Sequence, residues 1–177
     1  MKIRALLLTT ALAFTVPAIA QEAAAPSNAQ VQPMNVTDPT EFATMAAPSN
    51  MFEIESSKLA LERATSEDVK TFAQQMIDDH SKAGEAMKAA ASQDGVTPPS
   101  ELDQKHQEML DQVSRAEGDA FDAAYVAAQV QAHDEAVALF EGFANTGENS
   151  ALKQFAETTL PTLQQHREHI RTLAANY

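Results

Sequence analysis

The 177-residue sequence contains no cysteine, no tryptophan and only five glycines. Without cysteine the chain cannot form disulfides, attach a c-type haem or offer thiolate ligands to a metal. Basic residues are also few, since 12 Lys and Arg stand against 25 Asp and Glu and give a net charge of -13. Such an acidic surface repels nucleic-acid phosphates and anionic lipids, and no basic stripe compensates for it. We therefore expect no nucleic-acid partner, and cations are the favoured small partners.

Long apolar runs are scarce too, and the first of them lies at the N-terminus. Lys2 and Arg4 precede an apolar stretch from Ala5 to Val16, and Ala18-Ile19-Ala20 follows it. This order is typical of a cleavable signal peptide in residues 1–20, with cleavage expected after Ala20. We predict a periplasmic location, with secretion or association with the outer membrane as alternatives. No later run is long enough to predict a transmembrane segment in the mature chain.

The remainder divides into a tether and one domain. Residues 21–37 are rich in Ala, Pro, Gln and Asn and show no apolar period, which predicts a flexible N-terminal tether. Residues 38–177 have little glycine, frequent alanine and apolar residues recurring at intervals of three and four, which predicts helices. Their length suits a single domain with a sizeable core.

Capping residues and prolines give the boundaries of the predicted helices. Asp38-Pro39 suits the start of the first helix, although Pro48 is expected to kink or restart it. Ser66 suits the start of the second, and Pro98-Pro99 forbids its continuation. The predicted segments are helix one from Asp38 to Ala64, helix two from Ser66 to before Asp94, a short crossover helix from Ser100 to Arg115, helix three from Gly118 to Ala144, and helix four from Ser150 onward.

Each of the four long helices carries one residue of a metal-ligand type in the middle of its apolar face. These residues are Glu53, His80, His133 and His166. An unpaired buried carboxylate or imidazole is costly, so these groups require each other, a metal ion or trapped water as partners. The sequence therefore predicts a helical bundle with a polar centre.

Two helical hairpins joined by a long crossover are typical of a ferritin-like four-helix bundle, an all-α fold. In that arrangement helices one and four run in one direction, and helices two and three run in the other. Counting the rise per residue from the shared end puts the four residues at similar heights, about 15 to 22 Å along the helices. The four residues are therefore expected to share one layer, and an offset of one helical turn is the alternative.

Several runs of the sequence resemble a family of exported bacterial proteins, domain of unknown function forty-one forty-two. Helix one carries Met51-Phe52-Glu53-Ile54-Glu55, and helix two carries Met76-Ile77-Asp78-Asp79-His80. Helix three carries Phe121-Asp122-Ala123-Ala124-Tyr125, and helix four carries Leu160-Pro161-Thr162-Leu163 before His166. The resemblance covers residues 38 to 175. It implies a ferritin-like fold and a periplasmic or outer-membrane location, and it implies no activity.

Two interpretations of the polar centre remain open. In the first, Glu53, His80, His133 and His166 bind a single zinc, copper or iron ion. The residues predicted to orient these ligands are Asp79, Asp122, Gln129 and His169. In the second, the same four groups form a buried hydrogen-bond cluster that fixes the register of the helices. A di-iron centre is disfavoured, because no Glu stands three residues before any of the three histidines.

The sequence contains no nucleophile constellation, phosphate loop or acid–base pair at catalytic spacing, so enzymatic activity would require a bound metal. Two functional hypotheses follow. The first is a periplasmic bundle that binds one transition-metal ion for storage, buffering or stress protection. The second is a non-catalytic structural or interaction protein of the cell envelope, whose polar cluster is architectural and whose partner the sequence does not identify. The oligomeric state is not predicted.

Overall fold

The computed structural model describes residues 32–177. The predicted signal peptide, and the tether as far as residue 31, lie outside the described residues. Within residues 32–177 the chain forms five helices and no strand. They are α1 (Pro39–Arg63), α2 (Glu67–Gln93), α3 (Gln104–Arg115), α4 (Asp119–Thr146) and α5 (Ala151–Ala174).

Side-chain caps set the start of four helices, as the sequence predicts for three of them. The Asp38 carboxylate accepts a hydrogen bond from the Glu41 backbone amide, and Pro39 occupies the first turn of α1. The Ser66 and Ser150 hydroxyls cap α2 and α5 in the same way. The crossover helix α3 begins later than expected, because Asp103 rather than Ser100 caps it. Both α1 and α5 continue as helices through their internal prolines.

The helices form two antiparallel hairpins, α1 with α2 and α4 with α5, which pack side by side. Helix α3 connects the hairpins and lies across α1 and α4. Phe42 stacks on Phe143, whereas Ser57 bonds Tyr125, so α1 and α4 run in opposite directions. The predicted four-helix bundle with a crossover helix is therefore confirmed. Within residues 32–177, no helix offers an apolar stretch of the length that crossing a bilayer requires.

Two apolar clusters occupy the two ends of the bundle. One surrounds Phe42, Phe143 and Leu152, and the other surrounds Phe72, Phe121 and Ile170. Between them lies a layer of buried polar side chains. Its members are Glu53, Ser56, Ser57, His80, Gln129, His133 and His166. Two other buried polar residues of the described chain, His106 and Asp122, lie outside this layer and bond Asp103 and the turn between α1 and α2, respectively.

The segment before α1 packs against the bundle. The Met34 backbone amide donates a hydrogen bond of 2.9 Å to the Ala138 carbonyl, and Val36 is buried against the core. Thr37 accepts a hydrogen bond from the Glu148 amide. Sequence composition predicted a flexible tether up to residue 37, but residues 34–37 lie along α4. The backbone hydrogen bonds that hold them leave no periodic signal in the sequence.

Candidate metal centre

Three of the four residues predicted to share a layer come together at the centre of the bundle. The ring centroids of His80, His133 and His166 are 5.6 to 5.8 Å apart, in a nearly equilateral triangle. One ring nitrogen from each lies within 4.8 Å of the other two. All three rings are buried, with at most 5% of any residue exposed.

The helices deliver these rings to one height. His80 lies near the middle of α2, His133 near the middle of α4, and His166 two thirds of the way along α5. Helices α2 and α4 run in the same direction and α5 runs against both, and the distances between the ring centroids show that the three histidines lie at the same height. Each histidine also lies on its helix's core-facing side, among residues spaced by three and four. The sequence pattern therefore predicted the layer correctly for these three residues.

The outer nitrogen of each ring is held by a hydrogen-bond acceptor. The His80 Nδ1 atom lies 3.0 Å from the Asn50 side-chain oxygen. The His133 Nδ1 atom lies 2.9 Å from the Gln129 backbone carbonyl. The His166 Nε2 atom lies 3.1 Å from a carboxylate oxygen of Asp79. Because carbonyl and carboxylate oxygens only accept, each of these nitrogens donates its proton outward.

The remaining nitrogens carry the lone pairs of the three rings, and all three are buried. They are Nε2 of His80, Nε2 of His133 and Nδ1 of His166, and none has a hydrogen-bond partner among the described residues. A neutral imidazole carries one proton, and in all three rings that proton is already on the outer nitrogen. Three acceptors without a donor cannot bond one another. The arrangement instead presents three nitrogen donors to a cation.

Burial also keeps the rings in the form that binds metals. It lowers the pKa of His133 from 6.5 to about 3, although the hydrogen bond to the Gln129 carbonyl opposes this. Burial and the two neighbouring rings hold the pKa of His80 well below its usual range. Burial lowers the pKa of His166 too, while the Asp79 carboxylate partly restores it. All three rings are therefore neutral at pH 7.

The triangle formed by one ring nitrogen of each histidine is slightly larger than the triangle that three nitrogens form around a bound metal ion. When three atoms lie within 4.8 Å of one another, some point lies no more than 4.8/1.73, or about 2.8 Å, from all of them. A zinc–imidazole bond is about 2.0 to 2.1 Å long. Each nitrogen must therefore move inward by at most about 0.7 to 0.8 Å, a shift of the size that small rotations of a side chain supply.

Glu53 lies in the polar layer but not among the three converging nitrogens. Its Oε1 atom is 3.5 Å from Nδ1 of His133, which is the outer nitrogen of that ring. Both of its oxygens lack a partner among the described residues. Glu53 is not in the group of three residues whose ligand atoms lie within 4.8 Å of one another, because α1 places its carboxylate beside the outer nitrogen of His133. Its role as a fourth ligand stays a prediction. Burial raises the pKa of Glu53 to about 8, opposed by the neighbouring Gln129 amide.

The residues predicted to orient the ligands divide into two groups. Asp79 and Gln129 lie within hydrogen-bond distance of the central rings, one through its carboxylate to His166 and the other through its backbone carbonyl to His133. Asp122 instead accepts hydrogen bonds from the backbone amides of Thr65 and Ser66 at the turn between α1 and α2. His169 is exposed, with its ring 5.2 Å from that of Phe72. Asp122 and His169 are therefore not in contact with the three inner nitrogens.

Comparison with known proteins identifies the family. Residues 21–173 match the family described as a domain of unknown function, DUF4142. The chain belongs to this family. The resemblance seen in the sequence motifs is thereby confirmed. No protein of curated function matches this member of the DUF4142 family.

Solved structures of similar fold include three structures of two helical proteins with low sequence identity. A DUF305 fragment from Deinococcus radiodurans has a TM-score of 0.67 and 13% identity, and the match covers 78% of this chain and 96% of the fragment. CopM in its Cu(II)-bound form has a TM-score of 0.67 and 19% identity, covering 81% and 99% of the two chains. CopM in its Ag-bound form gives 0.65 and 18%, covering 80% and 98%. At this identity the likeness shows the shared fold.

Sequence reasoning missed Asn50, the residue that orients His80 in this DUF4142 member. Asn50 follows Pro48 and Ser49, and the sequence analysis assigned that run to a kink in the helix. The available signal is its position one helical turn before Glu53, which places another polar side chain near the core-facing side of α1. Ser57 and Tyr125 were also not assigned to the layer, where their hydroxyls bond each other at 2.9 Å.

Proposed function

We propose that this protein binds a single transition-metal ion through His80, His133 and His166. The observation that carries the proposal is that the outer nitrogen of each ring lies within hydrogen-bond distance of a fixed acceptor. The ring proton is therefore assigned to that nitrogen, and the lone pair of each ring lies on the buried inner nitrogen. The alternative hydrogen-bond cluster lacks a proton on its inner side. A single trapped water can donate to only two of the three nitrogens, whereas a cation satisfies all three.

The ligand set favours zinc or copper. Three imidazoles with no thiolate and no coordinated carboxylate are suited to these borderline ions, and iron remains the third candidate. A metal held by three nitrogens retains a fourth position, which a water molecule can fill. The CopM structures of similar fold contain Cu(II), Cu(I) or silver, which supports copper as the first ion to test.

Holding the ion fits the site better than turning over a substrate. The three rings are almost fully buried between two apolar clusters, and no nucleophile or acid–base pair at catalytic spacing accompanies them. We infer a role in metal storage, buffering or protection against metal stress.

The periplasm is the proposed location. The support is the N-terminal pattern of Lys2 and Arg4, an apolar run and Ala18-Ile19-Ala20, which directs export and cleavage. The mass of the protein recovered from a periplasmic extract tests this directly. A mature chain starting at Gln21 is the expected result, and an intact N-terminus in the cytoplasmic fraction would contradict it.

Binding of Cu2+ and Zn2+ to the chelator-treated protein tests the proposed function. Titration calorimetry and metal analysis after gel filtration are expected to give one ion per chain. A ligand at a hundredfold excess over its Kd stabilises the folded state by about 2.7 kcal/mol, so the melting temperature rises as well. The substitution His80→Gln preserves size and polarity and removes the stoichiometric binding.

His169→Gln is the matched control, because this exposed histidine lies on α5 three residues after His166. It is expected to bind metal like the unmodified protein. If the unmodified chain binds neither ion stoichiometrically, or if both variants lose binding equally, the metal proposal is overturned. The hypothesis of a structural or interaction protein of the envelope then takes its place.

A further inference from the structure

An open groove runs along the outside of the bundle between α1 and α2. Its volume is about 390 Å³, and it extends to the loop at Pro98 and Pro99. Its wall includes Asn50, Met51, Gly84 and Met87. Because Asn50 also bonds His80, this groove reaches the residue directly outside the three histidines.

A second, much smaller cavity lies on the other side of the same wall. Its volume is about 20 Å³, which is the space that one water molecule needs. His80 and Thr159 line it, together with Asn50 and Met87. The groove and the small cavity therefore share Asn50 and Met87. No other residue lines both the groove and the small cavity.

Asn50 is suited to move. Its side chain is only partly buried, and its one side-chain hydrogen bond among the described residues is the bond of 3.0 Å to His80. A single hydrogen bond therefore holds the amide in place, and breaking that bond frees the amide to turn. Met87 is a flexible side chain that adapts its shape readily.

Gly84 provides the space beside Asn50. It lies on α2 one turn after His80, and a Cβ atom added to it would stand 3.0 Å from the Asn50 side-chain nitrogen. Glycine in the interior of a helix costs about 0.5 to 1 kcal/mol relative to alanine. Its presence here leaves open the volume into which the amide can turn.

We propose that the groove between α1 and α2 is the access route to the three histidines, and that Asn50 is its gate. In the closed state, the Asn50 amide bonds His80 and separates the groove from the small cavity. In the open state, the amide turns toward Gly84, and a cation that has shed most of its hydration water reaches His80 through the small cavity. This inference rests on the proposed function, because the route serves the same site.

The kinetics of Cu2+ uptake and release test the gate. Gly84→Ala narrows the space next to Asn50, and Gly84→Leu also fills the groove. Gly84→Leu is expected to slow both uptake in a stopped-flow instrument and release to EDTA by tenfold or more, with Gly84→Ala between it and the unmodified protein. Because a gate changes the barrier and not the end states, the Kd is expected to stay within threefold. A tenfold change in rate corresponds to a barrier higher by about 1.4 kcal/mol.

Gln75→Leu is the matched control for bulk, since Gln75 is exposed on the same helix and does not line the groove. It is expected to leave both rates unchanged. Far-UV circular dichroism and melting establish that every variant is folded. Equal rates in the unmodified protein and in Gly84→Leu would overturn the gate, as would equal slowing in Gln75→Leu.

A second measurement needs no metal and separates this inference from the proposed function. Diethyl pyrocarbonate modifies neutral imidazoles, and peptide mass spectrometry follows His80 against exposed His169 in the same molecule. Gly84→Leu is expected to slow modification of His80 by fivefold or more and to leave His169 unchanged. If the chain binds no Cu2+ but His80 shows this protection, the proposed function fails and the route stands. If His80 reacts at the same rate in both proteins, the route is wrong.

Discussion

The buried carboxyl of Glu53 makes the metal-free protein less stable as the pH rises. Glu53 is 1% exposed, and neither of its carboxyl oxygens has a partner among the described residues. Burial raises the pKa of Glu53 from 4.5 to about 8. A folded-state pKa above the unfolded one means that the folded chain holds this proton more tightly. The resulting stability is fully present below pH 4.5 and is lost as the pH rises through 8.

The substitution Glu53→Gln isolates this effect, because it keeps the shape of the protonated side chain and cannot ionise. Each pKa unit corresponds to about 1.4 kcal/mol, so the shift from 4.5 to about 8 is worth about 5 kcal/mol over the whole pH range. About 2 kcal/mol of this falls between pH 6.5 and 9, where the curve levels off above the folded-state pKa. The histidines contribute equally to both proteins and cancel in the difference.

Urea denaturation with chelator present, at pH 6.5, 7.5 and 9, provides the measurement. The free energy of unfolding of the unmodified protein is expected to fall relative to that of Glu53→Gln by about 2 kcal/mol across this range. Glu55→Gln is the control, since that side chain is 50% exposed and pairs with Lys58 at the surface. Parallel stability curves for the unmodified protein and Glu53→Gln would refute the assignment of Glu53 as a buried, protonated acid.

Three further predictions follow from the same structure. Asn50→Ala removes the acceptor that orients His80 and is expected to lower Cu2+ affinity by about 10- to 100-fold in calorimetry. An unchanged Kd would argue against this role of Asn50. Asp122→Ala leaves the amides of Thr65 and Ser66 without their acceptor and is expected to cost about 2 kcal/mol in urea denaturation, with metal stoichiometry unchanged. The pKa values of the three central histidines are depressed in the folded chain, so the unfolded chain takes up protons first as the pH falls. The free energy of unfolding of the metal-free protein is therefore expected to fall below pH 6.5, by up to about 1.4 kcal/mol per pH unit for each ring. Acid denaturation that is no steeper in the unmodified protein than in His133→Gln would contradict this.

Local patterns in the sequence were enough to predict the helices and their arrangement. Asp38, Ser66 and Ser150 are residues that cap helices wherever they precede an amphipathic run, and Pro98-Pro99 prevents α2 from continuing. The interval of three and four residues fixes which face of a helix is buried, without knowledge of what it packs against. For this reason the inward direction of His80, His133 and His166 could be predicted from the sequence.

The layer that these histidines share was also predictable, because the rise per residue converts position in a helix into height. Side-chain contacts within that layer were not. Glu53 and Asn50 lie three residues apart on α1. The carboxylate of Glu53 was predicted to be a ligand, whereas no role was predicted for the Asn50 amide. The packing of α1 against the other helices determines which of the two side chains contacts which histidine. It brings Asn50 against His80 and places Glu53 beside the outer nitrogen of His133.

The sequence by itself therefore determined an exported-type leader pattern, a two-hairpin helical bundle, and three imidazoles turned inward at one height. These features depend on composition and on periodicity along a single helix. Only the tertiary structure decided which nitrogen of each ring carries the proton, because the acceptors for His80 and His166 come from neighbouring helices and that for His133 from the backbone one turn away. The direction of those protons, which no pattern along one chain segment encodes, is what supports the proposed cation site over a hydrogen-bonded core.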